Sequence, residues 1–426
     1  MERKRKIIAA LADLRQDIAG IVPVDIISKW NNSAHTAEAQ TDILRPYERS
    51  GFLVSSDSSG LSRLTGERTL LEVMNIVSIP KEVIYSVGSA VGGRGVGVWA
   101  ADNTEMYYDD SVGAEVVVEA MAAAQKRLHQ GVLQVGMGIH RGVFWEIGGG
   151  MFGEDAELLQ SLAENQTSAK EIVVSDTVRA RLGQDWQAHL ARREDLDADC
   201  ADSDGRPGFY SLNYHNYGAR FQDLAVDFSA GYQASGERKF YPFPFGMEFF
   251  LAMKQMETSA EARAKLAKYC FDKTVILIKI YHPKSPLLLN QLTDWVVMNA
   301  LLNEIAVKYS VRLVKSNGDL GIFVADSQTE AVEFAEDVIL SLRETRDLVS
   351  IGLAAGEILL FGLDQGGMEL AGGPVNIASK ISEDVEERDS LYVHESVQVP
   401  AHHLAKFAEF EMGKSGVTLR GLRYIA

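Results

Sequence analysis

Hydrophobic and polar positions follow two rhythms along this chain, and the series of rhythms runs through twice. Near the start, Ile7, Ile8, Leu11, Leu14 and Ile18 recur at three- and four-residue steps, the stripe of an amphipathic helix that packs on a neighbour. From Gly51 short apolar runs take over. Residues 52–57 read as a buried strand ending in Asp57, and the helical region after it runs to about Gly92 with an interruption expected near Pro80. Residues 95–108 read as a hairpin with Asp102 at its turn. A helix over 112–128, a strand over 136–146, a glycine run, a helix over 155–163 and strands from 171 and 208 follow.

Residues 215–270 break this order. Their aromatic cluster at 240–245 is expected between domains, ahead of a helix over about 248–270. The order then returns: strand 274–281, helix 287–309, hairpin 311–326 with its tight turn at Asn317-Gly318, helix 329–342, strand 350–361, a helix from Val375 and a strand from Leu391. A repeat of this length means two homologous domains facing one another, not a solenoid. Strand–helix–hairpin–helix–strand order implies an α+β class, helices layered on a mostly antiparallel sheet. The division expected is a helical extension (1–47), a first domain (48–214), a structured connector (215–270) and a second domain (271–426).

Composition narrows the function classes. With 426 residues, 46% of them hydrophobic and 24% charged, the chain can bury a sizeable core in two or three domains. A formal net charge of −17 argues against a general nucleic-acid or anionic-membrane binder, and the basic run at 3–6 is too short to reverse that. Cys200 and Cys270 have no metal-type spacing, as expected in a reducing compartment. No apolar run approaches the roughly 18 residues of a membrane helix, and no signal-peptide core is visible, so a cytoplasmic protein is expected.

Two stretches carry candidate chemistry. Asp57-Ser-Ser-Gly-Leu-Ser62 takes a strand through a small-residue turn into a helix, which leaves backbone N–H groups free for phosphate but is equally good cap chemistry. Lys315-Ser-Asn-Gly-Asp319 holds opposite charges on a rigid hairpin, either a ligand contact or a solvated tip.

Together these motifs resemble those of the class III nucleotidyl cyclases, in both halves, over about residues 48–214 and 271–426. Asp57-Ser-Ser-Gly-Leu61 resembles the family's acid before a Gly-aromatic turn, with Leu61 in the aromatic place. Lys315-Ser-Asn-Gly-Asp319 matches its Lys-x-x-Gly-Asp, of which the first half keeps Asp102. Gly138-Ile-His-Arg-Gly142 matches a strand motif that is decayed at Gly352-Leu-Ala-Ala-Gly356. Gly372-Gly-Pro-Val-Asn376-Ile-Ala-Ser-Lys380 resembles the last signature, with Lys in place of Arg.

The resemblance implies two ferredoxin-like, palm-type domains as a head-to-tail pseudo-heterodimer, paired within one chain or across a homodimer. Asp57 and Asp102 would hold two Mg²⁺ or Mn²⁺ ions. Asn376 would orient the ribose and Lys380 would meet charge on the α-phosphate. Lys315 and Glu369 would read adenine, and Ser59, Gly60 and Leu61 would line the substrate turn. Lys414 would bind the outer phosphates or is a surface turn lysine. Turn or cap roles are the plain alternatives for Asp57, Asp102 and Asn376, a solvated loop acid for Glu369, and a strand histidine for His140. The second half carries Lys279 at about the first acid position, so one composite site survives and the other is dead; the dead cleft, near Val98, Glu157 and Asp319, is a place for an effector. The function implied is conversion of ATP to 3′,5′-cyclic AMP and pyrophosphate. The alternative is an inactive cyclase-like protein that binds nucleotide and regulates. ATP is the expected partner, with neither nucleic acid nor membrane.

Overall fold

A computed structural model of the chain describes residues 14–15, 21–97, 99, 102–198, 208–224, 246–256, 259–281, 285–342, 348–362, 368–385, 387–414 and 417–426. Two mixed eight-stranded sheets with helices make an α+β fold. In the first sheet the order is Arg94–Gly95, Thr104–Asp109, Glu48–Ser59, Gln134–Ile147, Ile172–Ser175, Phe209–Leu212, Leu190–Arg192. The second repeats it as Arg312–Asn317, Leu320–Ala325, Cys270–Tyr281, Leu348–Gly362, Ser390–His394, Val417–Tyr424, Phe407–Lys414. A short eighth strand, Gly150–Phe152 or Met368–Ala371, pairs with the long strand of each sheet.

One parallel step interrupts each otherwise antiparallel ladder. Gly138 pairs with Val173, and Gly352 with Tyr392. A parallel step needs a crossover, which the helices Glu154–Ser161 and Gly373–Glu383 supply. Residue alternation on strand Cys270–Tyr281 then divides the second half into two layers. Ile276, Ile278 and Ile280 pack under helices Leu288–Lys308 and Gln328–Leu342, whereas Val275 and Leu277 face Ala378 on helix Gly373–Glu383.

The halves grip one another reciprocally. Leu359 and Phe361 of the second sheet sit in the first half's core beside Phe249 and Phe250. Ile147 and Phe152 of the first sheet sit with Leu288, Leu292 and Val296 of the second half, under the buried Ile26, Ile27 and Trp30. The Trp30 indole N–H also donates to Asn290 Oδ1 at 3.1 Å.

Several local expectations are corrected. Leu14–Arg15 is not helical but pairs with Ile21–Val22, and among the described residues the first helices are Val24–Asn31 and Ala37–Leu44. Helix Leu70–Ala90 runs through Pro80 without a break and begins instead at a capping box, Thr69 with Glu72. The described residues of the connector hold helices Met247–Gln255 and Ala260–Ala267, with Ser259 capping the second, and the following strand starts at Cys270. The hairpin's turn is Gly318-Asp319, because Asn317 still pairs with Leu320. The aromatic cluster at 240–245, Cys200 and most of the N-terminal stripe lie outside the described residues.

Candidate functional site

A cavity of about 300 Å³ lies where the halves meet. Leu61, Met74, Val77 and Asp102 line it from the first half, and Lys315, Gly372 and Asn376 from the second.

The acids come from the first half. Asp57 stands at the end of strand Glu48–Ser59, opposite Gly136, and Asp102 lies in the link between Gly95 and Thr104. Burial, then the Asp102 and Glu164 carboxylates, push Asp57 up to about 8. Burial also raises Asp102, while its own backbone N–H and the ammoniums of Lys81 and Lys380 pull it back. The charge of Lys380 acts on Asp102 from the other half. Lys81, enclosed at 2% exposure in an apolar helix, donates to the Trp99 carbonyl at 2.5 Å. Glu105 is raised well above its ordinary range by burial and by Glu164, and its Oε2 accepts no hydrogen bond. Asp57 and Asp102, buried carboxylates that repel one another, are oxygen donors of the kind Mg²⁺ or Mn²⁺ takes, but among the described residues they do not gather with Glu105 or Glu164 into a group of three ligand atoms.

The second half brings cations and an amide. Lys315 Nζ lies 2.8 Å from Glu369 Oε1, with side chains 6% and 1% exposed. A bulge between Leu313 and Lys315 re-aims the lysine, and Glu369 is held in strand Met368–Ala371, where its Oε1 accepts from the Leu370 N–H at 3.0 Å. Glu369 is therefore not a solvated loop acid. Asn376 and Lys380 lie one turn apart on helix Gly373–Glu383. That helix sits so close to its sheet that a Cβ at Gly352 would meet the Ala378 carbonyl at 2.2 Å.

On the pseudo-symmetric side a lysine stands where a metal acid would. Lys279 faces Ser350 as Asp57 faces Gly136, and Ser350 precedes Gly352 as Gly136 precedes Gly138. Its ammonium lies 2.8 Å from Asp319, the counterpart of Asp102. A tethered cation thus neutralises that acid. Burial of Lys279 opposes its charge, but Asp319 and Glu383 prevail and its pKa is raised. Val98 of the expected effector cleft lies outside the described residues, and Glu157 is exposed.

Other expected residues are distributed as follows. Leu61 lines the cavity; Ser59 instead turns its hydroxyl to the Gln134 carbonyl at 3.2 Å, and Gly60 starts the next helix with φ 100°. Lys414 ends a strand at the opposite edge of the sheet from Lys315, its side chain outside the described residues. His140 is buried between Ser175 Oγ (2.9 Å) and Asp155 Oδ1 (3.0 Å), a strand histidine.

Sequence reasoning missed Lys81, Glu105, Glu164 and Glu383. Lys81 had a signal, since it continues the apolar stripe Val73, Val77, Ile84. Glu383 lines the cavity one turn below Ser379, whose hydroxyl donates to it at 2.6 Å. Only assembled geometry groups the glutamates with the aspartates.

No family model matches the sequence, and no curated protein matches it. Among solved structures, a class III adenylyl cyclase-like ATP-binding protein from Pseudomonas aeruginosa is similar, at 13% identity and TM-score 0.50, over 82% of this chain and 84% of that one. A dimeric guanylyl cyclase domain of the RhoGC fusion protein from the aquatic fungus Blastocladiella emersonii covers 37% of this chain and 97% of its own, at 20% identity and TM-score 0.32. An adenylyl cyclase from P. aeruginosa covers 39% and 94%, at 15% identity and TM-score 0.31. Among the described residues no helix is long and apolar enough to cross a membrane. The chain thus has the fold of the class III adenylyl cyclase-like protein, as two cyclase-like domains in one polypeptide.

Proposed function

We propose that the chain is an adenylate cyclase that converts ATP to 3′,5′-cyclic AMP and pyrophosphate at one composite site. The observation that carries this reading is the shared cavity, with Asp102 on one wall and Lys315 and Asn376 on the other. Both walls belong to one polypeptide, which supports pairing of the halves within the chain.

In the reaction the ribose 3′-oxygen bonds to the α-phosphorus, the bond to the β-phosphate oxygen breaks, pyrophosphate leaves with the electron pair, and the hydroxyl proton is released. Asp57 and Asp102 would hold two Mg²⁺ or Mn²⁺ ions, which supply Lewis acidity and positive charge against the triphosphate. Asn376 positions the ribose by hydrogen bonding. Lys380 places its ammonium at the developing charge on the α-phosphate, as a point charge without the fork of an arginine. The Lys315–Glu369 pair offers a donor to adenine N1 and an acceptor to its 6-amino group; guanine presents the reverse pattern and would leave buried groups unpaired. Leu61 packs on the nucleotide beside the Ser59-Gly60 turn, and Lys414 would bind the outer phosphates or is a surface turn lysine. A reducing, cytoplasmic setting agrees with the sparse cysteines.

A second reading, nucleotide binding without turnover, draws on Lys380 in the arginine's place and on the similar P. aeruginosa protein being an ATP-binding one. The deciding experiment incubates the purified full chain with ATP and Mn²⁺ and assays cyclic AMP and pyrophosphate together, with GTP in parallel. Cyclic AMP is expected, lost by about 100-fold or more in Asp57→Asn and in Asn376→Ala, and not restored by mixing the two variants. ATP binding with no product, with Mn²⁺ and again with Mg²⁺, would establish the second reading.

A further inference from the structure

On the face of the second sheet away from the cleft, helix Gln328–Leu342 carries Glu333 and Glu336 one turn apart. The segment leading into the turn Leu404–Lys406 lies against it, pinned where the Gln398 N–H donates to Gln328 Oε1 at 2.6 Å. This segment brings His402 and His403 to the two glutamates.

The four side chains do not have the same job. Glu336 is 5% exposed and used on both oxygens, by His403 Nδ1 at 2.8 Å and by the Lys406 ammonium at 2.7 Å. A carboxylate on Nδ1 fixes the imidazole tautomer with its proton there, which leaves Nε2 as a free lone pair. That Nε2 lies 3.8 Å from Glu333 Oε1. His402 completes the group: one ligand atom from each of Glu333, His402 and His403 falls within 4.8 Å of the others. Two ligands of a tetrahedral zinc, each about 2.0–2.2 Å from the ion, lie roughly 3.3 Å apart, so small side-chain rotations close the set.

We infer that Glu333, His402 and His403 form a Zn²⁺ site, oriented by Glu336, that clamps the 397–406 segment to helix Gln328–Leu342. Two imidazoles and one carboxylate favour zinc over Mg²⁺ or Ca²⁺, and a partly exposed position leaves the fourth place to water. The site belongs to the layer opposite Asn376 and Lys380, so it stands whether or not the cleft turns over nucleotide.

The test titrates EDTA-treated full-length protein with Zn²⁺ by calorimetry and with Co²⁺ by visible absorption, using Asp57→Asn to remove cleft binding. One site is expected in Asp57→Asn, with a rise in Tm on adding Zn²⁺, and the further variants are made in that background. His402→Ala changes an exposed side chain, so its metal-free Tm should match that of Asp57→Asn while zinc affinity falls by more than about 100-fold. Glu336→Gln should weaken binding by about 10–100-fold, the range for an orienting partner. The inference is overturned if Asp57→Asn binds Zn²⁺ no tighter than about 100 μM, or if His402→Ala and Glu333→Gln bind it as Asp57→Asn alone does.

Discussion

The ion pair of Lys315 with Glu369 is the most enclosed charge pair of the cleft, at 6% and 1% exposure. Removing one partner strands the other charge in a low-dielectric wall. Glu369→Gln or Lys315→Met should therefore cost about 3–5 kcal/mol in urea unfolding, whereas Lys315→Met with Glu369→Leu should recover most of it. Asp57 behaves oppositely with pH. Its pKa is raised to about 8, so the metal-free folded protein holds that proton more tightly than the unfolded chain does. Stability should fall as pH rises from near 4 to about 8, by several kcal/mol, and the slope should flatten in Asp57→Asn. Unfolding curves in EDTA at pH 5 and pH 8 measure this difference.

At the scale of elements, glycines decide where the functional helix sits. Gly352 lets helix Gly373–Glu383 approach its sheet, since a Cβ there would meet backbone at 2.2 Å. Gly352→Ala should cost about 1–3 kcal/mol by overpacking and should weaken nucleotide binding, because the displaced helix carries Asn376 and Lys380. Gly362→Ala, where nothing lies within 4 Å, is the control and should bind as wild type does. Alternation and turn residues made these elements legible, down to a strand over 274–281 and a helix over 329–342. They did not show how Pro80 is accommodated: its missing N–H costs one rung, while the apolar face carrying Val73, Val77, Ile84 and Val87 keeps the helix whole. Nor could they show the bulge before Lys315, which exists only relative to a partner strand.

At the scale of the whole molecule, the N-terminal helix ties the halves together. Trp30 is fully buried among residues of both, so Trp30→Ala should cost about 3–5 kcal/mol and lower nucleotide affinity as the cleft loosens. Thermal unfolding and equilibrium ATP binding check the two effects. The repeated order of strands was readable in one dimension, and so were the motifs that carry Asp57, Asp102, Lys315, Asn376 and Lys380. Periodicity and short motifs are local properties, and each half repeats them. Other features were decided only by the tertiary structure: Glu105 and Glu164 add negative charge beside the aspartates within the first half, Lys279 neutralises Asp319 within the second, and the charge of Lys380 acts on Asp102 across the cleft. The physical reason is that charge interactions act through space and burial. Neither exists until strands and helices far apart in sequence have packed together.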